Sequence, residues 1–128
     1  MNVNRRAEGS LGERAAAEEY VRRGWRVLDR NRHLGRYGEL DLVLVKCDGD
    51  VKTVCFCEVK TRSRGGYGRP CEAVGPKKQI RIRFLAECYL QEHSELKGAD
   101  VRFDVAEVYR DTAGTPETLR VEILENAF

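Results

Sequence analysis

Three charged residues stand where charge is expensive. Asp41 lies inside Leu40-Asp41-Leu42-Val43-Leu44, and Glu58 and Lys60 lie inside Cys55-Phe56-Cys57-Glu58-Val59-Lys60. Both runs are apolar enough for central strands, where a charge is costly to desolvate unless it is paired or bound to a metal. Asp48-Gly49 between them is a hairpin signal. A turn centred there, or one residue beyond, pairs positions whose numbers sum to roughly 97–99. Asp41 then faces a residue between Phe56 and Glu58. If the sum is odd, as for 41 and 58, Asp41 and Glu58 share a face, and Lys60 joins them two residues on. Two carboxylates and one ammonium suit divalent-metal chemistry on phosphate. Mg²⁺ or Mn²⁺ binds hard carboxylate oxygens, polarises a scissile phosphate and promotes deprotonation of an attacking water. A nearby lysine can orient that water or stabilise developing negative charge. A buried Asp/Glu–Lys ion pair with only a structural role explains the same residues.

The surroundings are basic. From Lys60 to Arg83 there are eight Lys/Arg residues against one acid, Glu72. Arg62 and Arg64 follow Glu58-Val59-Lys60 directly. Lys77, Lys78 and Arg81 fall near the start of a predicted helix, whose N-terminal dipole also favours phosphate. Arg64-Gly65-Gly66-Tyr67-Gly68 offers an aromatic that can stack on a base, but lacks the Lys-Ser/Thr ending of a triphosphate-binding loop. The alternative is a solvated loop and an ordinary amphipathic helix.

The elements that must position these residues follow from pattern and punctuation. Residues 1–9 read as a flexible arm. Ser10 opens a helix with Glu13 at capping-box spacing, and Gly24 ends it. Strands are expected from Trp25 to about Asn31, over residues 38–46 and over 51–61. Residues 62–75 read as a mobile basic loop. Pro76 starts a second helix, in which Ile80, Phe84, Leu85 and Cys88 recur at helical spacing to about His93. Val101, Phe103 and Val105 alternate in a fourth strand, and Leu119, Val121 and Ile123 in a fifth. The order is α-β-β-β-α-β-β, with the second helix long enough to cross over between parallel strands.

The chain has 128 residues, the size of one α/β domain. Its hydrophobic fraction is 41% and its charged fraction 34%, so a folded, charge-rich protein is expected rather than a disordered one. No stretch approaches a membrane span, and the first ten residues lack the apolar core of a secretory signal, so a cytoplasmic location is expected. The net charge of +2 hides an asymmetry. Residues 1–83 carry 19 basic and 11 acidic side chains, and residues 84–128 carry 4 and 10. The acidic part reads as a solvated face or a protein contact. The five cysteines form no C-x-x-C pair and read as small buried thiols rather than disulfides or a zinc site. His33 and His93 lie in polar segments and need no function.

Asp, a hairpin and Glu-x-Lys together resemble the PD-(D/E)XK nuclease superfamily. The chain as a whole is similar to the YraN family of small bacterial proteins. Gly12-Glu13, Gly38-Glu39-Leu40-Asp41-Leu42, Phe56-Cys57-Glu58-Val59-Lys60-Thr61-Arg62, Tyr67-Gly68, Pro70, Lys77-Lys78, Arg102-Phe103-Asp104-Val105 and Asn126-Ala127-Phe128 carry the likeness. Leu40 stands where the superfamily name has proline. The resemblance implies a restriction-endonuclease-like fold, with a mixed central sheet flanked by helices. It implies Mg²⁺ or Mn²⁺ held by Asp41 and Glu58, with the Val59 carbonyl as a third ligand and Lys60 as the catalytic lysine. Glu13 matches a helical acid that serves the metal in the related archaeal Holliday-junction resolvases; its other reading is the capping box. Glu39 is expected on the opposite strand face from Asp41.

The resulting expectation is a metal-dependent nuclease acting on DNA phosphodiesters, at branched or otherwise structured DNA, where a homodimer would suit cleavage of two strands. Two rivals stand beside it. One is a non-catalytic nucleic-acid-binding module on the same fold. The other is an interaction protein that docks a partner through its acidic C-terminal part.

Overall fold

The computed structural model describes residues 2–63, 74–111 and 118–128, with side chains except those of residues 2–10, Ser63, Asp111 and Thr118. Its elements are α1 (Asn2–Arg22), β1 (Arg26–His33), β2 (Glu39–Asp48), β3 (Val51–Ser63), α2 (Pro76–Glu92), β4 (Asp100–Asp111) and β5 (Thr118–Leu124). One 3-10 turn, Ser94–Leu96, precedes β4. The strands form one sheet in the order β1-β2-β3-β4-β5. Every neighbouring pair is antiparallel except β3 and β4, which are parallel and joined through α2. This is the expected α-β-β-β-α-β-β order and mixed sheet of a restriction-endonuclease-like fold.

The hairpin behaves as its Asp-Gly turn dictates. Gly49 takes a left-handed φ of 62°. Asp48 pairs with Val51 and Leu42 with Cys57, so the register sum is 99 throughout. Strand alternation then sorts the core into two layers. Leu42, Leu44, Cys55, Cys57, Ala106 and Val108 pack with Ala16, Ala17 and Tyr20 of α1. Val43, Val45, Val54, Phe56 and Val105 pack with Ile82, Leu85, Ala86 and Tyr89 of α2.

Three expectations need correction. First, α1 is helical from Asn2, so the segment read as an arm is helix and Ser10 lies within it rather than capping it. Arg5, Arg6, Ala7 and Glu8 are good helix formers, and no proline stops propagation upstream. The other end follows its signal. Gly24, at φ 93°, closes a Schellman motif with Gly24 N donating to Val21 O and Trp25 N donating to Tyr20 O. The Tyr20 and Trp25 rings meet edge to face across it.

Second, α2 is rotated from the expected stripe. Its buried residues are Ile82, Leu85, Ala86 and Tyr89, while Ile80 and Phe84 are 69% and 48% exposed. Spacing alone does not choose between two overlapping apolar stripes; the fit against β2 does. Third, only Cys55 and Cys57 are fully buried thiols. Cys47 is exposed, Cys88 is half-buried on α2, and Cys71 lies outside the described residues. Among the described residues, no helix is long and apolar enough to cross a membrane. The basic loop expected at 62–75 falls mostly outside the described residues.

Candidate metal centre

Gly12 brings α1 onto β3, because a Cβ there would overlap Thr61 Oγ1. The next residue, Glu13, is thereby held near the end of β1 and the start of β2. Asn31 of β1 takes a left-handed φ of 50°, and its side chain hydrogen-bonds Glu13. A register shift between Val27 and Asp29 makes the same strand irregular. On β2, Glu39 and Asp41 reach toward Glu13, and carboxylate oxygens of Glu13, Glu39 and Asp41 all lie within 4.8 Å of one another. Glu39 therefore does not point away from Asp41. Two residues apart on a strand share a face, so the expected opposition is wrong by the strand period itself.

The register places Asp41 beside Glu58 by continuing one step past Leu42 and Cys57. Asp41 Oδ2 accepts a hydrogen bond from Val59 N–H at 2.9 Å. The Val59 carbonyl, expected as a ligand, leaves the strand on the same edge as that N–H, toward β2. Burial, reinforced by the Glu58 and Glu13 charges, pushes the Asp41 carboxyl up to about 7; the Val59 amide and Lys78 only partly oppose this. Glu13 is raised as well, chiefly by burial, with the Asn31 hydrogen bond opposing and the Glu39 charge adding.

Glu58, 8% exposed, does not join the three-carboxylate group; its partners are cations. Lys78 Nζ of α2 stands 2.5 Å from Glu58 Oε1, and Lys60 Nζ stands 3.8 Å from the same oxygen. Lys78, expected on phosphate, thus reaches into the centre itself. Burial and the neighbouring Lys78 lower the Lys60 ammonium below its ordinary value. Lys78 is raised: burial is the largest single influence and opposes its charge, but the hydrogen bonds to Glu58 and Lys60 and the Glu58 and Asp41 charges together outweigh it.

The expected phosphate-binding residues divide. Lys77 and Arg81 are exposed on α2. Arg62 Nε donates to Glu107 Oε2 at 3.0 Å. Glu107 is only 1% exposed, and its second oxygen is buried without a partner. Arg64 lies outside the described residues. Asp104, for which the sequence names no partner, is fully buried and bonded to Tyr20 and Arg102. Two acids of the supposedly solvated C-terminal part are therefore interior.

The sequence reading gives no role to Asn31, His33 or Glu107, uses Gly12 only in the family likeness, and turns Glu39 away from Asp41. Glu39 was findable from strand parity. His33 Nε2 stands 3.3 Å from Glu39 Oε2, a contact that two ends of a short β1–β2 turn make natural. Asn31 and Glu107 carry no local signal, since each acts through a residue distant in sequence.

The donor set fits a hard divalent cation. All three clustered groups are carboxylates, which suit Mg²⁺ or Mn²⁺ rather than a softer metal. Glu13 Oε2 is buried with no hydrogen-bond partner, an oxygen whose desolvation a cation would offset.

The family model for the uncharacterised protein family UPF0102 matches residues 12–108. A UPF0102 protein of Acetivibrio thermocellus is 40% identical over 126 residues, covering 98% of this chain and 93% of its own. One from Pelotomaculum thermopropionicum is 43% identical over 124 residues, covering 97% of each chain. One from Moorella thermoacetica is 37% identical over 128 residues, with both chains covered in full. The matched segment contains every residue of the centre described above, and the chain belongs to the UPF0102, or YraN, family.

Proposed function

We propose that this chain is a metal-dependent nuclease that hydrolyses DNA phosphodiesters, at branched or otherwise structured DNA. The observation that carries the reading is the convergence of Glu13, Glu39 and Asp41, with one buried oxygen unpartnered, beside Glu58 and Lys60. Like charges packed this closely raise their own pKa values unless a cation compensates. Bound Mg²⁺ or Mn²⁺ would supply Lewis acidity and make a water more acidic. Asp41 and Glu13 would be its principal holders, with Glu39 and Glu58 at the margin and the Val59 carbonyl on the same edge. Lys60 offers an ammonium to the substrate phosphate or to the attacking water. Lys77, Lys78, Arg81, Arg62 and Arg64 supply positive charge for the backbone.

The test is cleavage of labelled four-way, gapped, duplex and single-stranded DNA with Mg²⁺ or Mn²⁺. Cleavage by the parent and its loss in Asp41→Asn and Lys60→Ala support the reading. Equal cleavage by parent and variants would place any activity elsewhere.

One observation favours the second reading, a DNA-binding module without catalysis. Lys78 already neutralises Glu58 at 2.5 Å, as a structural ion pair would. That reading predicts salt-sensitive DNA binding that survives Lys60→Ala, with no cleavage under any divalent metal.

A further inference from the structure

The apolar residues of α2 that turn away from the core form a surface of their own. Ile80 and Phe84 are one helical turn apart on its outer side, 69% and 48% exposed. Tyr37, 55% exposed, meets Phe84 edge to face, with ring centroids 5.4 Å apart. Among the described residues, the other large exposed apolar residues are Leu11 and Val21 on α1, and Val51, Val101 and Leu119 on three different strands. Single exposed apolar side chains are ordinary; a cluster built from two elements is not.

Tyr37 is held rigidly. Its turn closes through Tyr37 N donating to Leu34 O and Leu34 N donating to Gly38 O, with Leu34 buried. Gly38 takes φ 143°, and a Cβ there would press on Leu85 Cδ1 at 3.2 Å and Arg81 Cδ at 3.6 Å. A glycine at this position therefore lets the turn seat against α2, which fixes the Tyr37 ring on Phe84. The rim is basic. The Arg36 guanidinium lies 5.8 Å from the Tyr37 ring centroid, Arg81 borders Gly38, and Lys77 precedes Ile80 by three residues. The turn 34–38 contains no acid. Along the chain its residues lie close to those of the carboxylate centre. Tyr37 is two residues before Glu39, and Phe84 is six residues, about 9 Å along the helix, beyond Lys78.

We infer that Tyr37, Phe84 and Ile80 form a platform that stacks an unpaired base of the nucleic-acid substrate, with Arg36, Lys77 and Arg81 holding the flanking phosphates. A rigid aromatic in a basic rim suits a base, because every base has a π-face and every nucleotide carries an anion. Fully paired duplex keeps its bases stacked on each other and cannot use the platform. The inference rests on the nucleic-acid reading above and names the substrate feature read there: a nucleotide outside the double helix.

The experiment uses the full chain in EDTA, so that no chemistry is required. The probes are a duplex and a gapped duplex, each with 2-aminopurine at the same position, paired in one and unpaired in the other. The parent should bind the gapped DNA about tenfold more tightly, the size of one base–aromatic stack, and should quench its fluorescence. Tyr37→Ala with Phe84→Ala should bind both DNAs alike without quenching, and Tyr37→Phe should restore the parent pattern. Equal binding of both DNAs by the parent, or undiminished discrimination in the double variant, overturns the platform while leaving backbone binding intact. No binding of either DNA at low salt overturns the nucleic-acid reading as well. A parent dimer that the double variant converts to monomer in sedimentation assigns the surface to a second copy of the chain and overturns the platform.

Discussion

Two groups of buried acid occupy this small sheet, and they are built in opposite ways. Asp104 is fully buried, yet its carboxylate is saturated with donors. It accepts from the Tyr20 hydroxyl at 2.7 Å, from Arg102 Nε and Nη2 at 3.0 and 2.8 Å, and from Asn126 N–H at 3.1 Å. Asp41 has one backbone donor, stands among Glu13, Glu39 and Glu58, and is pushed up to about 7. Beside it, Glu13 keeps a buried oxygen with no partner. Both acids come from apolar strand segments, and their residue types cannot separate them. The donors can. At Asp104 the negative charge is consumed inside the protein, tying α1 to β4 and the C-terminal segment. Around Asp41 negative charge is left over, which is the condition for holding a cation.

Perturbing the two sites should therefore give different signatures. The largest effect is expected at the satisfied one. Asp104→Ala strands the Arg102 guanidinium and the Tyr20 hydroxyl, and should cost about 3–5 kcal/mol in urea denaturation, with no recovery on adding Mn²⁺. Next, Mn²⁺ at 100 times its dissociation constant should stabilise the parent by about 2.7 kcal/mol in the same assay. Asp41→Asn should abolish that gain without lowering metal-free stability. Tyr20→Phe removes one of several donors to Asp104. It should cost about 1 kcal/mol and leave the Mn²⁺ gain unchanged.

The last effect is read as a slope against pH. The folded Asp41 carboxyl titrates near 7, above its ordinary 3.8. Between those values the native protein keeps a proton that the unfolded chain has released. Metal-free stability should then fall as pH rises from about 4 to about 7, and Asp41→Asn should flatten the fall. Glu13, raised in the same direction, adds to the slope. Thermal melts in EDTA across that range measure it, and a stability that rises with pH would contradict the assigned burial.

Much of this contrast was legible in the sequence, for local reasons. Asp48-Gly49 is a strong turn, and the pairing sums it allows put Asp41 opposite a residue between Phe56 and Glu58 without reference to the rest of the chain; the observed register selects Glu58. Pro76 and Gly24 mark helix ends through their own backbone restrictions, and both hold. What failed depends on contacts distant in sequence. The rotation of α2 is chosen by its fit to β2, which leaves Ile80 and Phe84 of the expected apolar stripe on the outer side. Of the two readings open for Glu13, the capping box needs Ser10 at a helix start, and the helix continues upstream to Asn2. The partners of Asp104 lie 84 residues back in α1 and 22 residues on at Asn126, beyond any local pattern.

Calorimetric titration of Mn²⁺ into the parent and into Asp41→Asn tests the central claim most directly. The account predicts one saturable site in the parent, with affinity rising from pH 5 to pH 8 as protons leave the carboxylates, and no site in the variant. Saturable binding that Asp41→Asn leaves intact, or no binding by the folded parent at any pH in that range, would contradict it.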